Sequence, residues 1–279
     1  MTSLQIGEAF PDFELPDHNG KLRRLSAFTR PSTMDTQVGF EAGYPTVLVF
    51  YRGFFCPRDQ QQMRLLVQFQ NELAVNYCSL LAVAVQPPMV QAAFRAGLGA
   101  SFTFLADAQR KLIQQIGILD ETEGEYADPA RPFTFVLKPD LSIHAIYDGW
   151  YFVGRPTLEE LRADLRSIMQ QQPYYPYDVW NTRRVKKIRI PQHEWRTGTP
   201  DLGANDLPVA EGIVRQFDYR SGNGLIESSA GQAIFFNFTA IPGEGYRTIQ
   251  PGTTVRFEIV ENETGPSARN IQVASDGVD

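Results

Sequence analysis

Val47-Leu48-Val49-Phe50-Tyr51-Arg52-Gly53-Phe54-Phe55-Cys56-Pro57-Arg58-Asp59 is the stretch whose reading decides the fold. Val47 to Tyr51 is a run of apolar, β-favouring residues and predicts a buried strand. Gly53 breaks the run. Pro57 suits a first helical position, where its missing N–H costs nothing. From Gln60 the pattern turns helical, with Met63, Leu66, Val67 and Phe69 at roughly helical spacing. Cys56 is therefore expected at a strand-to-helix junction. The unpaired N–H groups and positive dipole end of a helix N-terminus favour an anion. A thiolate is such an anion, so the position predicts a lowered cysteine pKa, with Arg52 and Arg58 near in sequence. The plain alternative is an inert buried cysteine acting as a small hydrophobe.

Upstream, Ile6 to Leu15 leads to Asp17-His18-Asn19-Gly20, and Asn-Gly between short extended runs predicts a hairpin. Residues 31–44 read as a loop. Downstream, Leu80 to Val85 is a second apolar run, bounded by Pro87-Pro88, and predicts a parallel strand buried on both faces. Val90 to Ala96 is a helix candidate and Phe102 to Leu105 a short strand. Asp107 can cap a helix from Ala108 to Ile116. An acidic loop spans Glu121 to Ala130. Phe133 to Leu137 and Ser142 to Tyr147 flank Lys138-Pro139-Asp140 as an antiparallel hairpin. Thr157 with Glu160 has the capping-box pattern at the head of a helix to Met169. Strands alternating with helices imply an α/β layer fold.

The character changes after residue 170. Residues 171–208 have linker composition, with Pro173, Pro176, Pro191, Gly198, Pro200 and Gly203 and a basic segment from Arg183 to Arg189. That segment is either a solvated charge run or a phosphate-contacting arm. Residues 209–275 hold five short alternating runs punctuated by Gly, Pro and Asn, the pattern of a small all-β barrel.

The 279 residues comfortably make two domains, and 43% hydrophobic content is ordinary for a globular chain. A net charge of -6 argues against a generally basic nucleic-acid binder. Two cysteines, Cys56 and Cys78, cannot form a disulfide framework and suit a reducing cytoplasm. No signal peptide is recognisable, and no apolar run approaches the ~20 residues of a membrane span. His18, His144 and His193 are scattered, each reading as a surface or capping residue, and neither metal nor cofactor is expected.

Residues 4–170 resemble the peroxiredoxin group, the alkyl hydroperoxide reductase and thiol-specific antioxidant family. The resemblance is carried by Ile6-Gly7-Glu8-Ala9-Phe10-Pro11-Asp12-Phe13, by the strand ending Phe50-Tyr51-Arg52-Gly53-Phe54-Phe55-Cys56-Pro57, and by Arg131-Pro132-Phe133-Thr134-Phe135-Val136. It implies a thioredoxin-like three-layer fold in which Cys56 attacks peroxide and Arg131 lies beside it, with Arg52 as a second candidate. The usual motif has Pro seven and Thr or Ser three residues before the cysteine. Here Val49 and Gly53 stand there. The variant looks like the Arg-Gly-x-x-Cys-Pro-x-x-Cys subgroup with Asp59 in place of the second cysteine, so a C-x-x-C disulfide cycle is not available. Pro132 stands where thioredoxins carry a cis-proline, which leaves either isomer open at Arg131–Pro132.

Residues 209–275 resemble a cold-shock domain through Gly212-Ile213-Val214-Arg215-Gln216-Phe217-Asp218, Ser221-Gly222-Asn223-Gly224-Leu225-Ile226 and Ile234-Phe235-Phe236-Asn237-Phe238-Thr239-Ala240-Ile241. This implies an OB-type five-stranded barrel that binds single-stranded RNA or DNA by stacking aromatics on bases. The face would use Phe217, Phe235, Phe238, Arg215 and Asn237. Gln216, Asn223, Leu225 and Asn237 replace the usual Trp, Phe, Phe and His. Residues 209–279 carry five arginines against nine acids, which disfavours phosphate.

The expected organisation is thus a peroxiredoxin-like domain over 1–170, a linker over 171–208 and a degenerate cold-shock domain over 209–275. The leading functional expectation is a cytoplasmic thiol peroxidase with a one-cysteine cycle. Its partners would be a hydrogen or organic peroxide, an external thiol reductant and, weakly, single-stranded nucleic acid. A homodimer is left open. The competing expectation is a non-catalytic redox-sensing or docking scaffold coupled to the barrel.

Overall fold

The computed structural model describes residues 2–31, 35–36, 40–75, 78–150, 153–173, 175, 183, 187, 207–219, 222–243, 247–262 and 265–274. Strands β1 (Glu14–Pro16) and β2 (Leu22–Arg24) pair antiparallel around the anticipated turn. Asp17 Oδ1 closes that turn by accepting from the backbone N–H groups of Asn19 and Lys21 at 2.9 and 3.0 Å. The chain continues through α1 (Leu25–Thr29), β3 (Thr46–Phe50), α2 (Pro57–Val75), β4 (Ser79–Ala84), α3 (Pro88–Leu98), β5 (Thr103–Ala106) and α4 (Lys111–Gln115). Strands β6 (Phe133–Leu137) and β7 (Ile143–Asp148) and helix α5 (Leu158–Gln170) complete this part.

The five strands order as β5-β4-β3-β6-β7. β3, β4 and β5 run parallel, while β6 is antiparallel to both β3 and β7. Every residue of β3 is buried, because helices cover both faces and leave no polar side. Successive side chains alternate across the sheet. Val47, Val49 and Tyr51 join Met63, Leu66 and Phe69 of α2, Phe94 of α3 and Leu161 and Leu165 of α5. Leu48 and Phe50 join Phe10, Leu25 of α1, and Leu112 and Ile113 of α4. This is the expected three-layer arrangement.

Local details show why the elements end where they do. Thr157 and Glu160 form the anticipated capping box at the head of α5. α4 starts later than the sequence predicts, because Arg110 is left-handed at φ 58°, yet Asp107 Oδ2 still accepts from the Ile113 N–H at 3.0 Å. The short α1 carries no periodic signal and is not anticipated. The loop expected over 31–44 lies partly outside the described residues, at 32–34 and 37–39. The basic segment Arg183 to Arg189 also lies outside them, apart from Arg183 and Lys187.

β8 (Val209–Asp218), β9 (Asn223–Ser228), β10 (Ala233–Asn237), β11 (Thr254–Val260) and β12 (Ser267–Val273) close a five-stranded barrel in the order β10-β12-β11-β8-β9, with a 3-10 turn at Phe238–Ala240. Val214, Ile226, Ile234, Phe236, Val255, Phe257 and Ile271 fill its interior. Gly224 is needed there, since a side chain would meet the Phe236 ring at 2.5 Å. Among the described residues no helix is long and apolar enough to cross a membrane.

His18 departs from the expectation of a surface residue: it is buried at 8% exposure, and the Phe104 N–H points at its Nδ1 at 3.5 Å. Burial, reinforced by Arg95, pushes its pKa down to about 4. The folded state therefore holds neutral histidine, while the unfolded chain protonates near 6.5. The stability that neutral His18 contributes is complete above that value and is lost as pH falls from 6.5 toward 4. The urea midpoint of the wild type is expected to fall between neutral pH and about pH 5, and to fall less in His18→Gln. An imidazole titrating near 6.5 in the folded protein would contradict this.

Candidate active site and nucleic-acid face

β3 delivers the chain into a tight turn over Arg52 to Phe55. Gly53 sits at φ 150°, and a Cβ there would lie 2.5 Å from Gln86 Nε2 and 2.6 Å from the Phe55 ring. A Thr or Ser here would be strained at this φ and would push aside the end of Gln86 and the Phe55 ring, so glycine suits this backbone path. The Cys56 N–H donates to Gly53 O at 3.1 Å, and Cys56 O accepts from the Gln60 N–H at 3.0 Å. Cys56 thus stands at the cap of α2, as the sequence predicts.

The electrostatics do not follow that placement. Burial pushes the Cys56 thiol up, and the Asp59 carboxylate adds to it. The backbone N–H groups of Asp59 and Arg58, together with Arg155, pull the other way. The net effect is a pKa above the ordinary 9.0. The expected lowered pKa is corrected: dehydration and a carboxylate three residues on outweigh the helix terminus.

Asp59 is fully buried. Its Oδ2 accepts from the Arg52 N–H at 2.7 Å, and its Oδ1 accepts from Arg155 Nε and Nη2 at 3.0 and 2.6 Å. One carboxylate therefore ties the loop before Cys56, the first turn of α2 and the segment after β7. Arg155 is the member of this cluster that the sequence does not single out. Its only local signal is its place between Gly154 and Pro156. Gly154, at φ 83°, allows the turn that aims it, since a Cβ would meet Asp148 O at 2.1 Å.

The two arginines named from sequence are engaged elsewhere. Arg131 Nη2 donates to Asp148 Oδ1 at 2.8 Å, with its guanidinium 5.1 Å over the Phe133 ring. Arg52 Nη2 lies 3.2 Å from Asp120 Oδ2. The charged groups that act most on the thiol are Asp59 and Arg155. The Arg131–Pro132 bond is trans, and Pro132 O accepts from the Gly149 N–H at 2.7 Å, continuing the β6–β7 ladder. Aromatic rings wall the loop: Phe55 stacks on Tyr126 at 4.1 Å, and Phe54 meets Tyr126 edge-on at 6.0 Å. Cys78 lies past the far end of α2, whose 19 residues span ~28 Å. Burial pushes its thiol up to about 12.

On the barrel, five residues carried the sequence reading of the face. Phe217 points inward instead, at 5% exposure, stacked 5.8 Å from Phe236. The bulge between Val214 and Gln216 rotates the strand, pairing Gln216 with Leu225 and Phe217 with Gly224. Asn237 is fully buried: its Nδ2 donates to Asn223 Oδ1 at 2.9 Å and its Oδ1 accepts from the Thr239 N–H at 3.2 Å, so it caps the 3-10 turn. Phe238 is 1% exposed. Phe235 remains half-buried in a row with Leu225 and Gln216. Arg215 is exposed but paired with Glu227 at 3.0 Å.

The AhpC/TSA family profile matches residues 6–146, and that of the 'Cold-shock' DNA-binding domain matches 210–274. The chain belongs to the AhpC/TSA family and carries a cold-shock domain. The AhpC/TSA part is similar in fold to peroxidoxin BcpB from Mycobacterium tuberculosis, at 24% identity and TM-score 0.49 over 59% of this chain and 98% of that one. Enterococcus faecalis AhpC gives 23% identity and TM-score 0.44 over 58% and 91%. The cold-shock part is 45% identical over 63 residues to cold shock protein CspB of Bacillus caldolyticus and CspD of Bacillus subtilis, covering 23% of this chain and 96% of each.

Two outcomes follow for this AhpC/TSA site. Alkylation of Cys56 is expected to quicken with pH without levelling off below about pH 7.5, the upper end for activated thiolates; an early plateau would contradict the raised pKa. Arg155→Leu leaves Asp59 buried and unpaired, so it is expected to cost about 3–5 kcal/mol in chemical denaturation. It should also slow alkylation, and unchanged stability would contradict the pair's role.

Proposed function

We propose that the AhpC/TSA part is a thiol peroxidase with a one-cysteine cycle. The carrying observation is Cys56 at the cap of α2, with two backbone N–H groups and Arg155 favouring its thiolate. The thiolate attacks the terminal oxygen of a hydrogen or organic peroxide. An S–O bond forms, the O–O bond breaks, and the departing oxygen takes a proton and leaves as water or alcohol. Sulfur is oxidised by two electrons and the peroxide is reduced. An external thiol then displaces water from the sulfenic acid, and a second thiol releases Cys56 from the mixed disulfide. Asp59 holds Arg155 in place and raises the thiol pKa, so it is a positioning residue. The separation of Cys78 along α2 supports a cycle without it, since a disulfide needs Cα atoms within about 7 Å. The reading places the protein in a reducing cytoplasm, with domains over 1–170 and 209–275.

A second reading draws on the raised thiol pKa and the side-chain-free Gly53: a redox-sensing scaffold oxidised once per molecule. In either reading the barrel is a weak single-strand binder, because the Gln216-Leu225-Phe235 row keeps one aromatic where base stacking needs several. Peroxide consumption with excess dithiothreitol separates the two. The peroxidase reading expects many turnovers, retained in Cys78→Ser and abolished in Cys56→Ser. A single equivalent consumed would support the sensor, and loss of turnover in Cys78→Ser would overturn the one-cysteine cycle.

A further inference from the structure

The apolar layer over the α2 and α3 face of the sheet continues without a break into the barrel interior. The join is made by named close approaches. Gly97 of α3 lies against the 3-10 turn: a Cβ there would stand 2.5 Å from Thr239 Oγ1 and 2.9 Å from Ala240 N. Glycine weakens a helix relative to alanine, and here it admits a neighbouring backbone. At Gly99, the left-handed cap of α3, the Arg269 guanidinium of β12 comes within 3.2 Å of where a Cβ would be. Phe238 sits in the same seam, its ring 6.3 Å from that of Phe54, two residues before Cys56.

The seam borders one end of the barrel's stacking face: it covers Phe238, while the Gln216-Leu225-Phe235 row beside it stays partly exposed. Phe238 and Asn237, at positions the cold-shock pattern gives to the binding face, are at 1% and 0% exposure. Arg247 lies 5.4 Å over the Phe238 ring, and burial together with Arg64 of α2 lowers its pKa. Arg247 Nε also donates to Phe238 O at 3.3 Å, so this cation is fixed at the covered edge, where a phosphate would be attracted.

We propose that the Phe238 edge of the barrel's nucleic-acid face is held shut against α3 and the Phe54 side of the Cys56 loop, and that single-stranded nucleic acid reaching from the Phe235 row onto that edge competes with this contact. This rests on reading the barrel as a nucleic-acid binder. If the closed form holds about nine-tenths of the molecules, apparent affinity drops about tenfold. Linkage is reciprocal, so an oligonucleotide that selects the open form also uncovers the loop that carries Cys56.

The test uses the full chain and a fluorescent oligodeoxythymidylate. Gly97→Leu places a side chain where the turn's backbone sits while favouring helix in α3. Hydrogen exchange over 88–98 and 238–240 reports whether the seam has opened. The expected result is faster exchange in Gly97→Leu and about tenfold tighter binding than wild type, lost again in Gly97→Leu/Phe235→Ala. In wild type, where no substitution disturbs folding, saturating oligonucleotide is expected to speed alkylation of Cys56. Equal affinity in an opened variant would overturn the competition. No binding by an opened variant would overturn the nucleic-acid reading of the barrel. Unchanged exchange in Gly97→Leu, or an unchanged alkylation rate in wild type, would overturn the seam as the closing contact.

Discussion

A single buried carboxylate organises the Cys56 end of this molecule. Asp59 sits in the first turn of α2 at zero exposure and accepts from the Arg52 backbone and from two nitrogens of Arg155. A buried charge is tolerated only when paired and hydrogen-bonded. The loop that presents Cys56 and the turn that follows β7 must therefore both be in place for the carboxylate to be satisfied. The same carboxylate raises the neighbouring thiol's pKa, and its partner Arg155 lowers it. Reactivity and local stability thus share one ion pair, and a change to either member moves both.

The consequence for chemistry is a thiol that is positioned but not strongly ionised at rest. Backbone N–H groups are aimed at the sulfur, yet burial dominates the balance. With glycine and no hydroxyl at position 53, the groups that favour the thiolate are the backbone N–H groups of the helix terminus and Arg155. Phe54, Phe55 and Tyr126 pack against one another beside the thiol.

Much of this was legible in the sequence, for physical reasons. β3 and β4 are apolar runs that only a doubly covered sheet can bury, and Cys56-Pro57 marks a helix start in any context. The capping box at Thr157 and the alternating runs of the barrel are equally local signals. What the sequence hid depends on distant contacts. Arg155 lies 96 residues from Asp59 and announces itself by no periodicity. Asp59 reads as a missing cysteine until its three hydrogen bonds are seen. Phe217 looks like a stacking aromatic by position, and only the bulge at Val214–Gln216 sends it inward. Phe238 reads as a stacking aromatic by position, and its ring instead packs 6.3 Å from that of Phe54 in the other half of the chain. His18 is buried because β1 and β5 close over it, which no short window records.

The central claim is that Cys56 is the residue that peroxide oxidises, alone. Its most direct test is trapping with dimedone after one equivalent of hydrogen peroxide, followed by peptide mass spectrometry of the full chain. The account predicts a sulfenic acid adduct on Cys56, an unmodified Cys78, and faster trapping as pH rises. A disulfide joining Cys56 and Cys78, or an adduct on Cys78 with Cys56 intact, would contradict it.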